Sequence, residues 1–91
     1  MNCYAAKEQV NLSFEDFQEK LIFRVCDFYH NQIDVNSTKV TKNNGIVLTG
    51  LMIREKGSRL APTIYIDGYY EEYTKGRSIG SILKSIIECY M

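Results

Sequence analysis

Apolar residues recur at three- and four-residue spacing through Phe14, Phe17, Leu21, Val25 and Phe28, which predicts one amphipathic helix from Ser13 to about His30. Ser13 with Asp16 three residues on approximates a capping box, and Leu12 ahead of the cap is placed to pack on Phe17 as a hydrophobic staple. The short polar side chains between Asn31 and Asp34 compete for the backbone and end the helix. Residues 35–42 are rich in β-branched side chains and predict a strand. Asn44-Gly45 then predicts a two-residue hairpin turn with both residues at positive φ, leading into a return strand over 46–54. A turn from Glu55 to Ser58 leads to a third strand over 59–66, which Pro62 confines to a sheet edge or a bulge because proline has no N–H for the ladder. Asp67-Gly68 ends the sheet, residues 69–75 read as a short helix stopped by Gly76, and Ser78 caps a last helix carrying Ile79, Ile82, Leu83, Ile86, Ile87 and Tyr90. The order α-β-β-β-α-α makes this an α+β chain, a three-stranded antiparallel meander with helices packed mainly on one face.

The middle strand is apolar on both parities, with Ile46, Leu48 and Met52 on one side and Val47, Leu51 and Ile53 on the other. Two amphipathic helices and one short one cannot cover both faces of the sheet, so one apolar face is left for an interface, with a protein partner or a second copy.

At 91 residues the chain is too short for two ordinary domains, and a single domain over 1–91 with a loose polar arm over 1–11 is expected. No run approaches the roughly 20 apolar residues of a membrane span, and the first residues lack the apolar segment of a signal peptide, so a cytoplasmic protein without membrane contact is expected. Three cysteines with no C-x-x-C pair and one histidine disfavour a disulfide framework and a zinc site. Cys26 is expected as a small core residue, and His30 as a solvated or capping residue at a helix end. Asn11-Leu12-Ser13 and Asn36-Ser37-Thr38 match the glycosylation pattern, but they read better as cap and strand. The formal net charge is zero, yet it is separated: residues 1–34 are net acidic and residues 35–66 net basic. Such separation can steer an oppositely charged partner, while lysines on exposed strand edges also block aggregation. Nucleic acid is disfavoured as a partner, because only Tyr65 interleaves the basic stretch with a stacking ring.

Lys42-Asn43-Asn44-Gly45, the run Leu48-Thr49-Gly50-Leu51-Met52-Ile53-Arg54, then Ala61-Pro62-Thr63-Ile64-Tyr65 and Tyr69-Tyr70-Glu71-Glu72-Tyr73 with Gly76 form a combined pattern. It resembles an uncharacterised domain of unknown function that recurs in Firmicutes of the gut, often as the first module of a longer chain. The resemblance runs from about Leu12 to Tyr90, with the chain here a stand-alone module. It implies a bacterial or bacteriophage setting and supplies no catalytic residues.

No Gly-rich phosphate loop, Ser-His-Asp or Cys-His arrangement or paired histidines occur, so no cofactor and no enzyme activity are expected. Asp67 and Glu71, one helical turn apart, are the candidate pair for a small hydrolase, against the plainer reading of a capping Asp67 and a solvated glutamate face. Among the tyrosines, Tyr69 and Tyr73 are expected on one helix face and Tyr70 on the opposite, exposed one. Tyr70 and the basic residues Arg54, Lys56 and Arg59 around one turn are therefore the expected partner-facing set, suited to an acidic groove or a nuclease channel. The function expected is a non-catalytic protein-binding module, narrowed to a bacteriophage or mobile-element inhibitor of a bacterial defence nuclease, similar to anti-CRISPR proteins. A housekeeping adaptor or homodimer is the alternative, and the Asp67–Glu71 hydrolase the second.

Overall fold

Ser13 starts the first helix in the way its sequence dictates: its Oγ accepts the Asp16 N–H at 3.2 Å. The computed structural model describes residues 11–90, so the expected N-terminal arm lies almost wholly outside the described residues. Helix α1 spans Phe14–Phe28. Three strands follow, β1 (Ile33–Thr41), β2 (Val47–Glu55) and β3 (Thr63–Tyr65), and then α2 (Asp67–Thr74) and α3 (Ile79–Tyr90). The strands form one antiparallel sheet in the order β1-β2-β3, which is the expected meander. No helix among the described residues is long and apolar enough to cross a membrane.

Both α1 and α2 end in the same hydrogen-bonded device. At the end of α1, His30 N–H donates to Asp27 C=O and Asn31 N–H to Cys26 C=O; at the end of α2, Gly76 N–H donates to Tyr73 C=O and Arg77 N–H to Glu72 C=O. This pair of bonds satisfies carbonyls that a helix end leaves free and needs a left-handed residue at the turn. Gly76 supplies it at φ 112, whereas in α1 the position is held by His30 at φ 55.

The first hairpin differs from the expected two-residue turn. Gly45 N–H donates to Lys42 C=O and Lys42 N–H to Ile46 C=O, so the loop is the three residues Asn43, Asn44 and Gly45. Only Gly45 takes positive φ, at 86°. A turn followed by a left-handed glycine is the next most favoured hairpin connection, and Asn44 Oδ1 braces it by accepting the Ile46 N–H. The third strand is also shorter than expected. Ile53 N–H still reaches Pro62 C=O, but only residues 63–65 form the ladder, at the edge position that Pro62 required.

The core lies between the helices and one face of the sheet. Phe17, Leu21 and Val25 of α1, Ile82 and Ile86 of α3, Leu51 and Ile53 of β2 and Ile66 at the start of α2 are fully buried, with Ile33 beside them. Every buried apolar residue of β1 and β2 lies on the same side, where Ile33, Val35, Leu51 and Ile53 meet the helices. Cys26 sits at the margin of this core rather than within it, half-buried. Its thiol is pushed up from its ordinary value by burial and by the charge of Asp34, against a lowering by Lys56, so it is held protonated.

Candidate functional site

The face of the sheet turned away from the helices is built from the even-numbered positions of β1 and β2. Cross-strand pairing sets Asp34 beside Arg54, Asn36 beside Met52, Thr38 beside Gly50 and Val40 beside Leu48, with Thr63 and Tyr65 of β3 next to Met52 and Gly50. Val40, Leu48 and Met52 are half-buried and Tyr65 is exposed. Lys42 places its ammonium 4.9 Å from the Tyr65 ring centroid, and Arg54 pairs with Asp34 at 3.7 Å. The result is an apolar strip with a cation on an aromatic ring at one end and an exposed ion pair at the other.

Gly50 shapes the middle of this strip. A Cβ there would stand 2.5 Å from Thr63 Cγ2 and 3.4 Å from Tyr65 Cδ1, so the bare backbone is what lets the two β3 side chains lie across β2. The signal was present in the sequence as a glycine inside a strand pattern, which marks close approach of another group. Thr63 and Tyr65 were missed because nothing in the chain says which neighbour makes the approach.

Of the expected partner-facing residues, Arg54 lies on this face, and Lys56 and Arg59 are exposed in the connection from β2 to β3. Glu55 C=O accepts the Ser58 N–H and Gly57 takes φ 88, so the expected turn forms there. Lys56 lines a cleft with Tyr29 and Tyr90 on the helix side, which separates it from Arg54.

The expected placement of Tyr70 is corrected. Its hydroxyl donates to Leu12 C=O at 2.9 Å, and its ring meets Phe14 and Phe17 edge-on at 5.2 and 5.1 Å. Tyr73 stacks on Phe17 and its hydroxyl accepts the Leu12 N–H at 3.0 Å, so the two phenols clasp the chain just ahead of α1. At 100° per residue, positions 69, 73 and 70 fall within a single arc of about 100°, so Tyr70 was never opposite the other two. All three are half-buried. Tyr69 turns the other way along that arc, under the Arg77 guanidinium and into a cleft with Ile64 and Cys89.

Asp67 is also corrected as a helix cap. No side chain caps α2; Asp67 Oδ2 instead accepts the Thr49 N–H of β2 at 2.6 Å, while Ile66 N–H donates to Thr49 C=O. The carboxylate thus extends the ladder past the end of β3, beside the buried Thr49, whose Oγ1 accepts from Lys39 Nζ at 3.0 Å. Glu71 is exposed and faces Lys75 at 3.9 Å. The two carboxylates are therefore engaged in different directions, and no group of three or more His, Cys, Asp or Glu among the described residues could hold a metal ion.

The model of a family of unknown function, DUF5688, matches residues 14–91. The chain belongs to the DUF5688 family. A search of curated proteins found no match, and neither did a search of solved structures. The match takes in every helix and strand among the described residues of this DUF5688 chain and both faces of its sheet.

Proposed function

We propose that this DUF5688 domain is a non-catalytic protein-binding module that docks through the open face of its sheet. The observation that carries this reading is the one-sided core: α1, α2 and α3 all pack on the Leu51–Ile53 side, leaving Val40, Leu48, Met52 and Tyr65 facing outward. An apolar strip rimmed by polar and charged residues is the surface composition of a protein interface. The basic groups at its ends, Lys42 and Arg54, favour a partner with an acidic rim. Met52→Glu combined with Tyr65→Ala is expected to abolish capture of the partner while leaving the melting temperature near that of the parent protein. Sedimentation of the purified protein decides between a heterologous partner and a second copy, since the same double variant converts a dimer to a monomer. A parent protein that remains monomeric and binds its partner as well with the double variant refutes the reading.

Beside this proposal the narrower reading, an inhibitor of a bacterial defence nuclease made by a phage or mobile element, draws on a different surface. A channel that normally holds nucleic acid is basic, so it would meet the exposed Glu15, Asp16, Glu19 and Asp27 of α1 rather than the basic turn. Stoichiometric loss of nuclease activity on adding the protein, relieved by reversing those four charges, tests it. A housekeeping adaptor binds through the sheet face and leaves nuclease activity unchanged.

A further inference from the structure

A cleft on the helix side, separate from the open sheet face, has an unassigned chemistry. It lies where the end of α1, the β2–β3 connection and the end of α3 converge, and it measures about 480 Å³, within the range of small-ligand pockets. Tyr29, Glu55, Ser58, Leu60, Pro62 and Tyr90 line it. One carboxylate, two phenol rings and an apolar floor are thus gathered with no positive charge in the lining; Lys56 lines the smaller neighbouring cleft, which shares Tyr29, Glu55 and Tyr90 with this one.

The two rings are set edge to face with centroids 5.5 Å apart. Tyr90 hydroxyl approaches Glu55 Oε2 at 3.4 Å, a long contact that leaves the carboxylate with accepting capacity for a better donor. The Tyr29 hydroxyl is buried and has no hydrogen-bond partner among the described residues. A buried polar group without a partner costs free energy, so the site carries local strain beside the cleft. Burial, and after it the negative charge of Glu55, holds both phenols above the ordinary tyrosine value, so they stay neutral acceptors and donors.

We infer that this cleft binds an alkylammonium or alkylguanidinium group, its charge on Glu55 beside the paired Tyr29 and Tyr90 rings and its alkyl stem along Leu60 and Pro62. A cation against aromatic rings beside a carboxylate gains both the ring quadrupole and the ion pair. The group is either the end of a lysine or arginine side chain of a partner protein or a free amine, and this site is independent of the sheet-face reading above.

Titration with n-butylammonium, N-acetyl-lysine methylamide and a lysine-containing peptide, followed through the Tyr29 and Tyr90 ring resonances by NMR, tests it directly without any partner. The expected result is saturable shifts with all three cations and about tenfold weaker response to 1-pentanol, the uncharged analogue of similar length. A peptide binding much more tightly than butylammonium assigns the site to a partner side chain; equal binding assigns it to a free amine. Glu55→Gln, at an exposed position that keeps its fold, is expected to weaken the cations about tenfold. Tyr29→Phe, which keeps the ring, is expected to leave cation binding intact and the melting temperature unchanged or higher, since its buried hydroxyl has no hydrogen-bond partner among the described residues. Pentanol binding as tightly as butylammonium, or cation binding unaltered by Glu55→Gln, overturns the inference.

Discussion

On the helix side of β2, Leu51 and Ile53 are fully buried; on the other side, the equally apolar Leu48 and Met52 are only half-buried. The helices do not even cover their own side completely, since Val47, of the same parity as Leu51, remains 53% exposed beyond the buried Thr49. Hydropathy alone does not separate these residues. What separates them is the number of amphipathic elements available: one stripe on α1 and one on α3 supply apolar surface for about half of one sheet face, and nothing among the described residues is left for the other. A strand that is apolar on both sides but served by helices on one side is the observation on which the proposed docking surface rests.

The contrast between the faces is sharpest in stability. Leu21→Ala or Leu51→Ala should cost about 2–5 kcal/mol by chemical denaturation, because each removes fully buried carbons from a packed core. A loss below about 1 kcal/mol would mean that the covered face is as loose as the open one. Asp67→Ala should cost about 1–3 kcal/mol by leaving the Thr49 N–H without its acceptor, while Asp67→Asn, which keeps a side-chain oxygen there, should recover most of it. At the centre of the open face, Gly50→Ala should cost about 1–3 kcal/mol, since Thr63 must move aside; a neutral result would show that β3 is not held over β2 in solution. Met52→Glu should change stability by only about 0.5 kcal/mol, as surface substitutions do, and a loss approaching that of Leu51→Ala would erase the difference between the faces.

The smallest effect expected is with pH. Tyr29, Tyr69 and Tyr90 are all raised above their ordinary value, chiefly by burial, with Glu55 acting on Tyr29 and Tyr90, and Cys89 and Glu72 opposed by Arg77 acting on Tyr69. The folded state therefore binds protons that the unfolded chain has already lost. Their contribution to stability is whole below the unfolded value near 10 and declines as pH rises through the folded values. Thermal melts between pH 8 and 11 should fall, and Tyr29→Phe with Tyr90→Phe should flatten that fall.

Much of the fold was legible because it is written in local chemistry. The three- and four-residue spacing of Phe17, Leu21 and Val25, the Ser13 cap, the glycine of Asn43-Asn44-Gly45 and the missing N–H of Pro62 each act within a few residues, and each appears where it was expected. The candidate site was legible only in part. The apolar parity of β2 announced an uncovered face, but not its neighbours, because Thr63 and Tyr65 reach it through pairings 11 and 15 residues distant in sequence, Met52 with Thr63 and Gly50 with Tyr65. Arg54 and Lys56, only two residues apart, part company because the strand ends at Glu55 between them.

Sequence by itself determined the element order, the helix faces that make the core, the edge position of β3 and the existence of an apolar surplus on β2. Tertiary structure alone decided where polar atoms far apart in the chain find partners: Tyr70 and Tyr73 clasp Leu12 about 60 residues away, Asp67 serves Thr49 rather than its own helix, and the Tyr29 hydroxyl finds no partner among the described residues. The reason is one of range. A periodicity or a cap is satisfied by residues a turn away and leaves its pattern in the chain, whereas a side-chain hydrogen bond across elements depends on which two surfaces meet, and that is fixed only when the core has closed.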